Sequence, residues 1–155
     1  MADNAYLTAL RQLARRELSE AQLRQRLSRR GFTPDDIDSA VTRLRQDGSL
    51  DDARTAAAIA RSQLSLKKRG ERRVRREIEA AGIASALADR AVAEVYGEVD
   101  ADALLAAAID RRLGTRRLDD DREMARLYRY LVGQGFESDR AMTALRARRK
   151  LSSSS

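Results

Sequence analysis

The densest group of side chains that could bind a ligand is a run of cations in the middle of the chain. Residues 67–76 contain seven bases and one acid, and the bases are Lys67, Lys68, Arg69, Arg72, Arg73, Arg75 and Arg76. Guanidinium groups form strong, charge-assisted hydrogen bonds with phosphates and carboxylates. The run therefore predicts a surface that binds an anionic partner. The alternative is a solvated face that is partly paired with nearby acids.

The expected position of these arginines on a helix favours binding. We expect the run to be helical, with Val74 and Ile78 facing a core. Arg72 and Arg76 then fall almost opposite that core, with Arg73 and Arg75 beside them. Core packing gives no reason for cations at these positions, and like charges four residues apart on a helix repel each other.

A second basic segment lies near the start of the chain. Its candidate contact residues are Arg11, Arg15 and Arg24. Arg11 and Arg15 are four residues apart and share one flank of a helix. Glu17 and Glu20 weaken the positive field of the segment. Binding to a partner and plain solvation remain equal alternatives here.

Two further charged groups have structural explanations. Four arginines lie at a predicted helix end and in the loop after it, at 111, 112, 116 and 117. Cations near a helix C-terminus stabilise the helix by themselves. The acids at 119–121 and Glu123 lie at the start of another predicted helix, where we expect an N-cap and partners of the helix dipole. A magnesium site would need carboxylates that converge in space, so no metal site is predicted.

The composition argues against an enzyme. The chain has neither histidine nor cysteine, and it lacks a glycine-rich phosphate loop and a nucleophile–base pair. We expect no catalysis and no cofactor.

A net charge of +7 favours nucleic acid or an acidic protein surface as the partner. No aromatic residues interleave with the basic run to stack on bases. Tyr128 is a candidate exposed contact, and a half-buried packing role is the favoured alternative for it. We expect no membrane span and a cytoplasmic location, because no apolar run approaches roughly 20 residues and no signal peptide is recognisable.

Helical signals cover nearly the whole chain. Apolar residues recur at three- and four-residue steps, and the single proline and eight glycines argue against many tight turns. Ser19 and Gln22 form a capping box that begins one predicted helix, and Thr33 followed by Pro34 begins the next. Gly31 is placed to end the helix between them in a left-handed conformation. The sequence predicts an all-α protein.

One helical pattern occurs three times. It consists of two apolar residues four apart, then a glycine and an apolar residue: Leu23, Leu27, Gly31 and Phe32; Val74, Ile78, Gly82 and Ile83; Leu127, Leu131, Gly135 and Phe136. The repetition predicts three tandem three-helix modules at 2–48, 49–98 and 99–150, with positive φ at each of the three glycines. Modules of this size hide their apolar faces poorly alone, so we expect them to stack into an elongated, curved array. Residues 151–155 are expected to be a disordered tail.

The order and spacing of these motifs resemble the RecX family. The resemblance is carried by 9–27 with Gly31 and Phe32, by 44–54, by 72–78 with Gly82 and Ile83, and by 126–132 with Gly135 and Phe136. It extends over about residues 5–150. The chain departs from the family at Thr55 and Ile59, where the family usually carries Phe and another aromatic residue.

The resemblance implies a regulator of the RecA recombinase. Such a protein lies along the groove of the RecA–DNA filament and inhibits strand exchange, ATP turnover and filament growth, in DNA recombination, repair and the SOS response. DNA would be contacted in the context of the filament, and a monomer is expected. The alternative is a freestanding basic helical DNA-binding protein, and a third class is a helical scaffold for another partner.

Overall fold

The structure is a computed structural model that describes residues 4–154, and no strand occurs in this range. Nine helices follow one another: α1 (Ala5–Arg15), α2 (Glu20–Arg29), α3 (Pro34–Gln46), α4 (Asp52–Lys67), α5 (Glu71–Ala80), α6 (Ser85–Tyr96), α7 (Ala101–Leu113), α8 (Asp121–Gly133) and α9 (Ser138–Ser153). The all-α prediction is confirmed. None of these helices is both long enough and apolar enough to span a bilayer.

The helices form three groups of three, and each group has its own core. Leu23, Leu27, Val41 and Leu44 centre the first core; Val74, Ile78, Ala88 and Ala91 the second; Leu127, Leu131, Ala141 and Leu145 the third. Each of the helix pairs that pack most extensively lies within a single group. We call α1–α3 module 1, α4–α6 module 2 and α7–α9 module 3. The predicted three-helix modules are confirmed, whereas the boundaries at 48/49 and 98/99, the elongation and the curvature stay predictions, and residue 2 lies outside the described range.

Local signals determine where the helices begin and end. Ser19 accepts a hydrogen bond from the Gln22 amide at 3.1 Å, and the Gln22 side chain accepts one from the Ser19 amide at 3.0 Å. This is the predicted capping box. Gly31, Gly82 and Gly135 have φ values of +92°, +83° and +101°. The predicted left-handed turns after α2, α5 and α8 are therefore confirmed.

The modules meet through two joints of the same design. In each joint, the glycine turn after the middle helix of one module rests on the N-terminus of the middle helix of the preceding module. At the joint between modules 1 and 2, the Ser19 hydroxyl donates to the Ala81 carbonyl, and Gly82 lies against Ala21. At the joint between modules 2 and 3, the Gly70 amide donates to the Gln134 carbonyl at 2.8 Å and the Arg72 amide to the Gly135 carbonyl at 3.1 Å. At each joint, an amide or a capping hydroxyl at a helix N-terminus bonds to a carbonyl of the next module, where it would otherwise face water.

Thr55 explains how the chain accommodates one departure from the RecX pattern. It is 2% exposed, and its hydroxyl donates to the Leu18 carbonyl of module 1 at 3.4 Å. A small polar residue therefore fits beside the joint between modules 1 and 2. Ile59 is half-buried and packs against the core of module 2.

The expected disordered tail is wrong for most of its length. Helix α9 continues to Ser153, and Ser154 is its C-cap. The Leu118 amide donates to the Ser152 hydroxyl at 3.3 Å, and Arg149 donates to the Asp119 carbonyl at 2.9 Å. These contacts hold the end of α9 against the start of α8. A serine-rich composition does not reveal them, and residue 155 lies outside the described range.

Candidate anion-binding surface

Helix α5 turns one side to the core and presents two arginines on the other. Val74 and Ile78 are fully buried, whereas Arg72 and Arg76 are exposed. Neither arginine side chain forms an ion pair or hydrogen bond with any residue in 4–154. The structure thus has these two side chains in the orientation that the sequence predicts.

The neighbouring arginines of α5 are paired. Arg75 contacts Asp89 at 2.8 Å and Glu79 at 3.4 Å. Arg73 contacts Glu77 at 3.5 Å and donates to the Gly133 carbonyl of module 3 at 3.3 Å. Folding therefore gives a reason for Arg73, contrary to the expectation that packing does not explain it. That reason lies in module 3, sixty residues away in the sequence.

Arg69 has a structural role in the loop between α4 and α5. Its side chain is 13% exposed, and its guanidinium donates to Gln63 and contacts Glu77 at 3.4 Å. The Tyr96 hydroxyl donates to the Arg69 carbonyl at 2.6 Å. Burial, assisted by the nearby negative charge of Glu71, raises the pKa of Tyr96 to about 12. No sequence signal pointed to Tyr96 as the partner of the basic run, because the contact spans 27 residues.

The two lysines of the run lie at the end of α4. Lys67 is the last helical residue, and Lys68 is the C-cap with φ +53°. Both are exposed, and neither forms an ion pair within the described part of the chain. Leu66 beside them is 77% exposed. The lysines extend the positive surface toward this turn.

The N-terminal candidates divide in a similar way. Arg24 contacts Asp38 at 2.6 Å and Glu20 at 3.1 Å, and the hydrogen bond that it donates to Asp38 is the main reason that its pKa is raised. Arg11 and Arg15 line a shallow pocket of about 230 Å³ on module 1. The pairs of Arg24 lie within module 1, whereas Glu17 of this segment contacts Arg54 of α4 in module 2 at 3.3 Å.

The acids at the start of α8 behave as N-terminal partners of that helix. Asp120 is the N-cap and accepts from the Arg122 amide at 2.9 Å, and Asp121 pairs with Arg149 at 2.7 Å. Within 4–154, no three or more acidic side chains come together in a way that could hold a metal ion. Tyr128, the candidate aromatic contact, is half-buried against the core of module 3.

This architecture defines a class of protein: a tandem array of three-helix modules, here with two exposed arginines of α5 that have no side-chain partner within residues 4–154. Family comparisons identify the class further. Residues 5–44 match the first three-helix domain of RecX, and residues 51–92 match the second. The chain belongs to the RecX family.

The relatives agree over most of the chain. "Regulatory protein RecX" of Halorhodospira halophila is 34% identical over 139 residues, covering 90% of this chain and 84% of the relative. The protein of the same name from Chromohalobacter salexigens is 36% identical over 138 residues, covering 88% of each. The relatives are thus named as regulatory proteins and not as enzymes.

Solved structures share the fold. A crystal structure of RecX from Lactobacillus salivarius superposes with a TM-score of 0.73 at 19% identity, covering 95% of both chains. A second RecX crystal structure gives a TM-score of 0.72 at 22% identity, covering 88% of this chain and 67% of the other.

Proposed function

We propose that this chain binds the RecA–DNA filament in the cytoplasm and inhibits recombinase activity, which comprises strand exchange, ATP turnover and filament growth. It acts as a monomer without catalysis, cofactor or metal, within DNA recombination, repair and the SOS response. Membership of the RecX family supports this proposal. The observation that supports α5 as the contact surface is the pair of exposed arginines at 72 and 76, whose side chains have no partner within residues 4–154.

The electrostatics of α5 favour an external partner. Acidic residues of module 2 pair with Arg69, Arg73 and Arg75, but no acid within residues 4–154 reaches Arg72 or Arg76. Two like charges four residues apart cost a few tenths of a kcal/mol on a helix. Carboxylates of an acidic protein surface or phosphates of DNA would replace that repulsion by charge-assisted hydrogen bonds.

The support beneath these arginines also favours binding. The N-terminus of α5 is held by the Gly70 and Arg72 amides against module 3, and the preceding loop is held by Tyr96 and Arg69. A rigid surface loses little conformational entropy when it binds. The backbone that carries both cations is therefore largely set before a partner arrives.

A freestanding DNA-binding protein is the second candidate, and the net charge of +7 favours it. The four tyrosines are all buried or half-buried, so none is fully available to stack on a base. The two candidates differ in whether high affinity requires RecA. Co-sedimentation with RecA filaments, with naked single-stranded DNA as the control, distinguishes them.

The residue-level test is the double variant Arg72→Glu/Arg76→Glu in a RecA strand-exchange assay. It lowers the net charge by four, from +7 to +3. The matched control is Arg129→Glu/Arg146→Glu, which makes the same charge change at two exposed arginines of module 3 that have no side-chain partner within the described chain. We expect inhibition to weaken at least about tenfold for the α5 variant, which corresponds to about 1.4 kcal/mol, and much less for the control.

Both variants should melt like the parent protein, because none of the four side chains packs in the core. Full inhibition by the folded α5 variant would exclude this helix from the mechanism and leave Arg11 and Arg15 as the remaining candidate contacts. Equal losses in both variants would show that net charge alone matters.

A further inference from the structure

Module 3 contains a second concentration of arginines, away from α5. The end of α7, the loop after it and the first turns of α8 surround a pocket of about 410 Å³. Its lining consists of Arg111, Arg112, Arg116, Arg126, Glu123 and Leu127. Four guanidinium groups face one carboxylate, so the lining carries a formal charge of +3.

Arg116 makes three side-chain contacts at this pocket. Its guanidinium donates to the carbonyls of Leu113 at 3.1 Å and Arg112 at 3.0 Å, which closes the C-terminus of α7. Its remaining nitrogen lies 3.2 Å from a carboxylate oxygen of Glu123. The sequence-based explanation, a cation that stabilises a helix end, is therefore correct for Arg116. Arg111 and Arg112 also lie in the last turn of α7, where the helix dipole favours cations, but this explanation does not extend to Arg126 of α8.

Glu123 orients the cations without neutralising the pocket. Its side chain is only 16% exposed, and its second carboxylate oxygen lies 3.4 Å from Arg126. One carboxylate thus bridges two arginines that come from the loop and from α8. A single negative charge thus positions two positive ones, and the other two cations have no carboxylate partner among the described residues.

Arg112 and Arg111 complete the lining. Arg112 lies over the ring of Tyr130, with its guanidinium carbon 4.5 Å from the ring centroid. Stacking through the flat face of the guanidinium leaves its N–H edge available. Arg111 is exposed and has no partner among the residues that the structure describes.

This arrangement is particular to module 3. The segment Ala56–Ile59 of α4 recurs as Ala106–Ile109 of α7, so Arg112 corresponds to Ser62. Module 2 therefore lacks one of the pocket cations at the equivalent position. The helical repeat alone does not require the cluster.

We propose that this pocket is a phosphate-binding site. Its cations approach from a helix end, a loop and a second helix, which suits a tetrahedral oxyanion better than a planar carboxylate that one guanidinium can satisfy. The phosphate can come from a nucleic-acid backbone or from a free polyphosphate. The pocket is shallow and open to solvent, which favours a backbone that passes across it. The site shares no residue with the α5 surface, so it does not depend on the proposed contact there.

The test measures phosphate binding without RecA, so its failure is distinct from failure of the proposed function. The two probes are an oligo-dT of about 20 nucleotides and inorganic pyrophosphate, titrated at low salt. The variant Arg111→Gln/Arg126→Gln removes two cations but leaves the helix-closing contacts of Arg116 intact. Arg129→Gln/Arg146→Gln is the control with the same loss of charge outside the pocket.

We expect the affinity for oligo-dT to fall at least tenfold in the pocket variant and no more than about twofold in the control. The slope of log affinity against log salt should decrease by about 1.4, the value for two lost contacts to single-strand phosphates. Loss of pyrophosphate binding alone would support the site and assign it to a free polyphosphate. Unchanged binding of both probes, or equal losses in pocket and control variants, would overturn the proposal.

Circular dichroism accompanies each titration. If the loss of the Arg126–Glu123 contact unfolds module 3, Arg111→Gln alone replaces the double variant, because the Arg111 side chain makes no contact that folding requires. It should then lower oligo-dT affinity or, if the phosphate is free, pyrophosphate affinity at least threefold. No loss for either probe would likewise overturn the proposal.

Discussion

Replacing Gly70 by alanine should open the joint between modules 2 and 3. The backbone of Gly70 has φ −77°, which alanine adopts readily. A β-carbon there would lie 2.5 Å from the carbonyl carbon of Gly135, 2.6 Å from its oxygen and 2.7 Å from the Phe136 amide nitrogen. These are backbone atoms, which cannot rotate aside as the end of a side chain can. The turn after α8 therefore has to move away.

The cost follows from the contacts that the movement breaks. The joint contains the hydrogen bonds from the Gly70 and Arg72 amides at 2.8 and 3.1 Å, and each contributes about 1 kcal/mol net. Alanine is also a poorer N-cap than glycine, by about 0.5 kcal/mol. The reduced entropy of the unfolded alanine chain offsets about 0.5 kcal/mol. We expect the free energy of unfolding to fall by about 2 kcal/mol.

Gly31→Ala and Gly135→Ala separate backbone strain from the effect of the joint. Gly31 has φ +92° and no neighbouring atom within 4 Å of a β-carbon, so alanine there introduces strain alone, about 1 kcal/mol. Gly135 has φ +101°, and its β-carbon would lie 2.5 Å from Arg73. Gly135→Ala should therefore cost about 3 kcal/mol. The double variant of Gly70 and Gly135 should cost less than the sum of its parts, because both changes open one joint.

Urea denaturation followed by circular dichroism measures all four variants. The reasoning is refuted if Gly70→Ala is as stable as the parent protein or loses less stability than Gly31→Ala. Strict additivity in the double variant would also contradict it, because it would mean that the two glycines do not share one contact.

Three further predictions concern single side chains. The free energy of unfolding should fall by about 2 kcal/mol as pH rises from about 10 to about 12, because Tyr96, whose pKa is raised by folding, stabilises the protein only while it is protonated. Urea midpoints measured against pH should decline less steeply for Tyr96→Phe than for the parent protein, and equal slopes would contradict this. Ser19→Ala should lower the free energy of unfolding by about 2 kcal/mol, because it removes a helix cap and a hydrogen bond between modules, whereas Thr33→Ala removes a cap alone and should lower it by about 1 kcal/mol. Equal losses in denaturant titrations would count against the joint. Arg69→Ala should lower the melting temperature by several degrees and Arg76→Ala by less than about 2 °C, since only Arg69 is mostly buried; the reverse order in calorimetry would refute these roles.

The sequence predicts the helices well because their ends depend on neighbouring residues. The capping box at Ser19, the Thr33 cap and the three left-handed glycines are all signals that act within a few positions. Repetition of those signals then predicts three modules. A pattern of this kind says little about how one module contacts the next, and neither joint follows from it.

The candidate site could be predicted only in part, for a related reason. Arg72 and Arg76 lie opposite Val74 and Ile78 because helical periodicity alone puts them there. Whether an arginine is paired depends on acids that are distant in the sequence. Asp89 pairs with Arg75 from another helix, and the loop residue Arg116 meets Glu123 of α8. Net charge and local spacing give no information about such pairs.

The two ends of the module series differ in a way that gives the protein a direction. The turn at Gly31 is exposed and has open space around it, although the matching turns at Gly82 and Gly135 each rest on a neighbouring helix. At the opposite end, Arg149 and Ser152 of α9 cover the residues that begin α8, where a fourth glycine turn would sit. An engineered duplicate of a module could therefore be joined ahead of module 1 with its docking geometry intact. The same insertion after module 3 would first require the last two turns of α9 to be removed.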